Sequence, residues 1–282
     1  MMQSLKGKIA VVTGGASGLG RAMALQFAHE GMHVAIADIE QGRLEEVVTE
    51  LKGLGVNAIG VRTDVSKGAQ VDALAKRVVD ELGGVHVVCN NAGVSPLGLA
   101  WDNTLADWEW MLGVNLWGVI HGLRAFTPLL IAQDEGHIVN TASVAGLINP
   151  PNSAMYNVTK HAVVALTETL YHDLGERQSS VSCSVLCPAY VPTGIAESER
   201  NRPPELANPQ GQKSAEQMAK EAMLRKAVRS GRLTADDIGA AVLAAVKEDR
   251  FYILTHAKIT GAIRARMDDI LEGRQPRNPM TL

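Results

Sequence analysis

Cysteine is scarce in this chain, with three among 282 residues. Cys89 lies in "VHVVCNN", and Cys183 and Cys187 lie in "VSCSVLCPA", all in apolar, strand-like runs. On a strand, Cys183 and Cys187 share a face but sit roughly 13 Å apart, beyond the reach of a disulfide. All three read as buried core thiols. The eight histidines show none of the spacings that hold a metal, so no metal site is expected. Basic charge is not in excess: the formal net charge of -3 offers no concentrated basic surface for nucleic acid. No apolar run approaches the length needed to cross a bilayer. The N-terminus, where Lys6 and Lys8 lead directly into a short apolar segment, lacks a signal-peptide layout. The expectation is a cytoplasmic protein with neither a membrane nor a nucleic acid as partner.

What the chain does have is regular alternation. Hydrophobic residues make up 46% and charged residues 20%, an ordinary globular balance. A strand over "KIAVVTG" leads into a helix from about Leu19 to Glu30, and "HVAIAD" precedes a helix over 40–54. "NAIGVRTD" precedes a helix from Gly68 to Leu82, and "VHVVCN" is followed by one long apolar helix from Asp107 to Gln133. The strand "GHIVNTAS", a helix entered through "NPPN" and the strand "VSCSVLC" continue the series. Strands apolar at nearly every position, each followed by a helix, predict a parallel sheet covered on both faces. No linker, repeat or low-complexity segment interrupts the pattern, so 1–282 reads as a single doubly wound α/β domain.

The rhythm breaks from Ile195 to Arg232, where the chain turns polar. Pro203, Pro204 and Pro209 interrupt it before a helical pattern resumes near Ser214. Such an insertion is either a binding lid or a disordered loop. As a lid it should be mobile without ligand, because its composition offers few apolar anchors. A helix near 234–248, a short strand "FYIL" and a final helix near 258–272 follow.

The stretch "TGGASGLG", residues 13–20, joins the first strand to the first helix. Gly14, Gly18 and Gly20 let the backbone turn tightly and approach a pyrophosphate at the positive end of that helix. Asp38 ends the second strand, 18 residues beyond Gly20. A carboxylate there can accept hydrogen bonds from both adenosine ribose hydroxyls and would repel a 2′-phosphate, so NAD is expected over NADP. Glu40 would add a second carboxylate, while Arg43 is expected to face solvent from the next helix.

In "SAMYNVTKHAV", Tyr156 and Lys160 stand one helical turn apart. With the Gly14-x3-Gly18-x-Gly20 spacing, "NNAG" at 90–93 and Ser143, they resemble the short-chain dehydrogenase/reductase family, over nearly the whole chain to about residue 194. The resemblance implies a seven-stranded Rossmann sheet and hydride exchange between a nicotinamide and a carbonyl or secondary alcohol. It implies that Ser17, Leu19 and Ile39 join the glycines and Asp38 around the cofactor, with Asp64 and Val65 at the adenine. Asn91, Ala92 and Gly93 would line the nucleotide. Pro188, Val191 and Thr193 of "PAYVPTGI" would stand on the nicotinamide side, Val191 and Thr193 at the carboxamide. Ala189 occupies a position where the family commonly has glycine.

Alcohol oxidation needs a base, and a phenol with a pKa of about 10 is a poor one at neutral pH. A lysine cation on the same helix face, with an oxidised nicotinamide nearby, would favour the phenolate. Tyr156 is thus the expected acid/base. Lys160 would also hold the nicotinamide ribose, and Ser143 would polarise the carbonyl. The resemblance further implies that Asn115, in "GVNLWG", helps to hold a relay water. Ser95, Ala145, Met155, Tyr190 and Ile195 are the candidate substrate wall. They are mostly apolar, which predicts an uncharged, hydrophobic ketone or secondary alcohol, with room under the lid for a bulky or aryl-bearing one. A 3-oxoacyl reductase is the alternative enzyme, and a cofactor-sensing regulator without chemistry is the alternative class. The Tyr156 helix carries two apolar stripes, one through Val158, Ala162, Ala165 and Thr169, the other through Val163, Leu166, Leu170 and Leu174. A helix apolar on two sides is buried on two sides, which predicts a homodimer or homotetramer.

Overall fold

In a computed structural model, which describes residues 4–208 and 215–281, seven apolar strands set the frame. They are β1 (Ile9–Thr13), β2 (His33–Asp38), β3 (Ala58–Arg62), β4 (Val87–Asn90), β5 (Gly136–Thr141), β6 (Val181–Leu186) and β7 (Tyr252–Ile253). All pair in parallel in the order β3-β2-β1-β4-β5-β6-β7. The helices are α1 (Gly18–His29), α2 (Gln41–Gly53), α3 (Gly68–Leu82), α4 (Leu105–Leu112), α5 (Gly118–Ala132), α6 (Ala154–Glu176), α7 (Ala215–Arg229), α8 (Ala235–Glu248) and α9 (Ile259–Leu271).

Side chains alternate across each strand, so Val11 and Val12 enter opposite layers. Val12, Ile36 and Cys89 pack with Met23 and Phe27 of α1, Leu44 and Leu51 of α2 and Ile238 of α8. Val11, Val88 and Ile138 pack with Leu74 of α3, Phe126 and Leu130 of α5 and Leu174 of α6. This is the doubly wound, Rossmann-like sheet expected. The three cysteines are buried and unpaired, and burial pushes the Cys183 and Cys187 thiols up to about 12. Strand order reverses between β1 and β4. Their following loops therefore part above the carboxyl ends of the strands and leave a crevice there.

Two boundaries differ from expectation. The helix expected from Asp107 starts at Leu105, because Thr104 caps it: Thr104 Oγ1 accepts from Asp107 N at 3.1 Å, and Asp107 Oδ2 accepts from Thr104 N at 2.9 Å. Such a reciprocal cap is worth about 1 kcal/mol. Nor is it one smooth helix. A π turn at Gly113–Trp117 separates α4 from α5, and it turns Asn115 into the interior. The run Leu105–Ala132 is long and apolar enough, by length and composition, to cross a membrane, an 18-residue window of it having mean hydropathy 1.2. That differs from the sequence expectation, which counted uninterrupted apolar residues only. In the fold Met111, Phe126 and Leu130 of this run are fully buried, and α5 packs on α3 while α4 packs on α6.

Pro209 and Ser214, where the helical pattern was expected to resume, lie outside the described residues. The described helix begins at Ala215.

Candidate active site

The crevice is a single cleft of about 1440 Å³ running from the end of β2 to the lid. Its first wall is the glycine loop. Gly14 has φ +66°, and a Cβ there would stand 2.9 Å from Ala92 Cα; Gly18 has φ +53°. Both positions call for glycine by conformation, and Gly14 by close approach as well. Ser17, the N-cap of α1, makes no side-chain cap hydrogen bond. The first-turn amides of α1 are thus left facing the cleft, an arrangement suited to an anion. Gly20 does not reach the cleft. A Cβ on it would stand 2.0 Å from the Gly14 carbonyl oxygen, so Gly20 shapes the loop rather than touching a ligand, a correction to its expected role.

Asp38 is fixed at the end of β2. Its Oδ2 accepts from Ala16 N at 3.0 Å and its Oδ1 from Glu40 N at 3.1 Å. Neither partner is a cation, so its charge stands uncompensated beside the cleft. Glu40 is different. Arg200 Nε and Asn201 Nδ2 donate to it at 2.9 and 2.8 Å, and Arg43 pairs with it at 3.0 Å. Burial works the other way, but the hydrogen bonds from Asn201 and Arg200 hold the Glu40 carboxyl below its ordinary value. The expected double repulsion of a 2′-phosphate therefore reduces to one carboxylate, because Arg43 and the lid's Arg200 neutralise the other. Arg43 folds back on Glu40 as well as facing solvent.

Leu19, Ile39, Asp64, Val65, Asn91, Ala92, Gly93, Ser95, Ala145, Pro188, Tyr190, Val191, Thr193 and Ile195 all line the cleft. Met155 does not. It is 1% exposed and packs with Val94, Trp110 and Met111. The turn of α6 that presents Tyr156 to the cleft sends its neighbour into the core.

Ser143, Tyr156 and Lys160 converge on the floor. Ser143 leads out of β5, with its hydroxyl within 3.3 Å of the Pro188 carbonyl. Tyr156 and Lys160 project from the same face of α6, the ammonium 5.5 Å from the phenol ring centre. Lys160 Nζ donates to the Thr141 carbonyl at 2.8 Å. Burial pushes the Tyr156 phenol up to about 12, with the Ser143 hydroxyl pulling the other way. Burial pushes Lys160 down to about 8. The expected phenolate is therefore not favoured by Lys160 alone: with its ammonium turned to Thr141, the lysine does not offset burial of the phenol. Asn115 is fully buried and absent from the cleft wall. Its Oδ1 accepts from Val94 N at 2.8 Å and its Nδ2 donates to Val94 O at 2.9 Å. Its side chain is spent on holding the β4 loop and is not turned to the cleft.

The lid lies across the cleft on apolar and polar anchors: Leu206 packs against Val94, Trp110, Met111 and Met155, and Val228 is buried. Ser198 Oγ accepts from Ser95 N at 3.1 Å. Arg200 reaches Glu40 on the adenosine-ribose side. Arg202 pairs with Asp107 at 2.6 Å and lies 4.4 Å over the Trp110 ring. Burial raises the Asp107 carboxyl, but hydrogen bonds from Asn208, Thr104 and Arg202 outweigh it and hold the group below its usual range. Sequence reasoning missed Arg200, Arg202, Ile259, Pro279 and Met280. The run "SERNR" reads as a solvated face, and no local pattern pairs Arg200 with a glutamate 160 positions earlier.

A family model described as short chain dehydrogenase matches residues 8–204. A crystal structure of a short chain dehydrogenase/reductase from Burkholderia phymatum in complex with NAD is 50% identical, with a TM-score of 0.97 and both chains covered over 100%. A CLA biosynthesis dehydrogenase/reductase from Lactiplantibacillus plantarum is 30% identical over 277 residues, 98% of this chain and 97% of that one. A 1-deoxy-11-beta-hydroxypentalenate dehydrogenase from Streptomyces exfoliatus is 32% identical over 269 residues, 94% of this chain and 89% of that one. Sequence and fold agree from the glycine loop to the lid, and this chain belongs to the short chain dehydrogenase family, as an oxidoreductase built on a Rossmann-like sheet.

Proposed function

We propose that the protein transfers a hydride between NAD(H) and an uncharged, hydrophobic secondary alcohol or ketone, with room for a bulky or aryl-bearing one. The observation that carries this is the single cleft with Asp38 at one end and Ser143, Tyr156 and Lys160 on its floor. The residues present fit the cofactor. Gly14 and Gly18 let the loop turn tightly at the cleft wall, the first turn of α1 has amides for the pyrophosphate, and the anchored Asp38 carboxylate suits two ribose hydroxyls. The bound nicotinamide would supply the hydride acceptor or donor.

The chain's own residues manage the proton. Tyr156, kept protonated by burial, is ready to donate to a ketone oxygen that Ser143 also holds by hydrogen bond. In oxidation the phenol must first lose its proton, and a positive charge in the cleft would favour that loss. Lys160 can leave the Thr141 carbonyl to hold ribose hydroxyls and face the phenol. Asn115 keeps the β4 loop in place beneath them.

The apolar lining supports the substrate class. Trp108, Ile148, Tyr190, Leu206 and Val228 line the cleft, and Arg202 at that end is already paired with Asp107 and Glu199. Among the described residues, no unpaired cation stands at that position to favour an anionic substrate. The test is a screen of ketones and alcohols followed by nicotinamide absorbance with both cofactors. Turnover of none of them, with cofactor bound, would overturn the oxidoreductase assignment of this pocket. We also propose a homodimer or homotetramer, because Val158 of α6 is 49% exposed on a helix apolar on both sides. A concentration-independent monomer mass by light scattering would refute it.

A further inference from the structure

The last helix buries a carboxylate that the sheet does not use. The residues of α9 are exposed or half-buried except Asp269, which is buried at 4%. Removing a carboxylate from water is costly unless it is fully hydrogen-bonded. Its partners are all on the chain that follows. Arg277 Nε donates to Oδ1 at 2.8 Å and to Oδ2 at 3.1 Å, and Arg277 N donates to Oδ2 at 3.1 Å. Arg274 N donates to the Asp269 carbonyl at 2.8 Å, and Arg277 Nη2 donates to the Ala265 carbonyl at 2.8 Å. Together these contacts reverse the chain and fold the tail back along α9.

The reversal has a destination. Pro279 and Met280, in a short 3-10 turn, line the cleft together with Ile259 from the start of α9. That end of α9 is on the nicotinamide and substrate side. Ile259 N donates to the His256 carbonyl at 3.1 Å, and His256 Nδ1 accepts from Ala189 N at 3.2 Å, within "PAYVPTGI". The adenosine end, at Asp38, lies across the sheet. A tail residue reaching the cleft here meets what binds beside the nicotinamide.

We propose that the C-terminal tail, fastened by the Asp269–Arg277 pair, is an outer wall of the substrate pocket, and that Met280 is a specificity-determining residue selecting bulky apolar ketones and alcohols. This rests on the functional reading above. Met280 is 56% exposed, so it has surface left to cover a ligand, and an unbranched thioether adapts to irregular apolar shapes. Asp269 and Arg277 act as positioning residues, since neither is part of the cleft wall.

The test compares acetone with 4-phenyl-2-butanone, in the unmodified protein and in Met280→Ala, Arg277→Gln and a chain ending at Asn278. Two readouts are taken: kcat/KM for each ketone, and the calorimetric affinity of 4-phenyl-2-butanone for protein saturated with oxidised cofactor. Losing one partly buried apolar contact should lower the ratio of bulky to small kcat/KM by about three- to tenfold in each variant. Arg277→Gln should add little in the Met280→Ala background, because both act through one wall. Affinity for 4-phenyl-2-butanone should fall in parallel. Equal ratios and equal affinities in the unmodified and truncated chains would overturn the role of the tail. A protein that binds 4-phenyl-2-butanone yet reduces neither ketone counts against the assigned reaction, while its binding series still decides the tail.

Discussion

Cofactor choice can be worked from the end of β2. Asp38 is held by two backbone amides, and Arg62, opposite it on β3, turns to the Ile39 carbonyl rather than to it, whereas Glu40 is compensated by Arg43, Arg200 and Asn201. A 2′-phosphate seated there meets one uncompensated carboxylate. Two unit charges at about 4 Å repel by about 1 kcal/mol in bulk water and about 4 kcal/mol at a surface dielectric of about 20. The preference for NAD over NADP, as a ratio of kcat/KM, should therefore lie between roughly fivefold and several-hundredfold. Asp38→Ala should collapse that ratio, both by removing the repulsion and by losing the two ribose hydrogen bonds that favour NAD. Glu40→Ala alone has a different expected effect: it releases Arg200, a cation of the cleft wall, and so improves NADP without weakening the ribose contact. The double variant should prefer NADP. The assay is steady-state kinetics with both cofactors against one ketone, at fixed ionic strength because exposed arginines are screened by salt. Equal or better use of NADP by the unmodified protein would refute this account of Asp38.

Tyr156→Phe keeps the ring and removes the proton-transferring atom, so turnover should fall at least about a hundredfold while cofactor affinity changes little; near-normal turnover of the purified variant would show another proton route. Because the phenol is pushed up to about 12 before ligands bind, ketone reduction should be flat through neutral pH and alcohol oxidation should rise with pH; a flat oxidation profile from pH 6 to 10 would contradict a tyrosine base. Lys160 falls from 10.5 to about 8 on folding. Between these values the unfolded chain holds the extra proton, so this group makes stability rise with pH, by an order of about 3 kcal/mol in all. The difference between denaturation curves of the unmodified protein and Lys160→Met should show that slope between pH 8 and 10.5, and no difference in slope would refute it. Arg200→Ala opens one end of the lid, and a partly exposed ion pair is worth at most about 1 kcal/mol. Stopped-flow release of NADH should accelerate by up to about fivefold, and an unchanged rate would mean that the lid does not retain the cofactor.

The sequence by itself determined the layers and the chemical inventory. Strands such as "IAVVT" are apolar at every position because both faces are covered, and that is a local property of composition. Gly14, Gly18, Asp38, Tyr156 and Lys160 were legible for a similar reason: each stands at a fixed offset from a strand end or on one helix face, and strand–turn–helix geometry is set by nearest neighbours. Tertiary structure alone decided the rest. Met155 and Tyr156 are adjacent, yet one is core and the other cleft, because the packing of α4 chooses which face of α6 stays open. Asn115 turns inward through a π turn that an apolar helical pattern does not announce. The Arg200–Glu40 and Arg277–Asp269 pairs join residues that read as ordinary solvated charge until the chain folds. A charge carries no periodicity that names its partner, so long-range ion pairs are set by the path of the backbone, and with them the lid and the outer wall of the pocket.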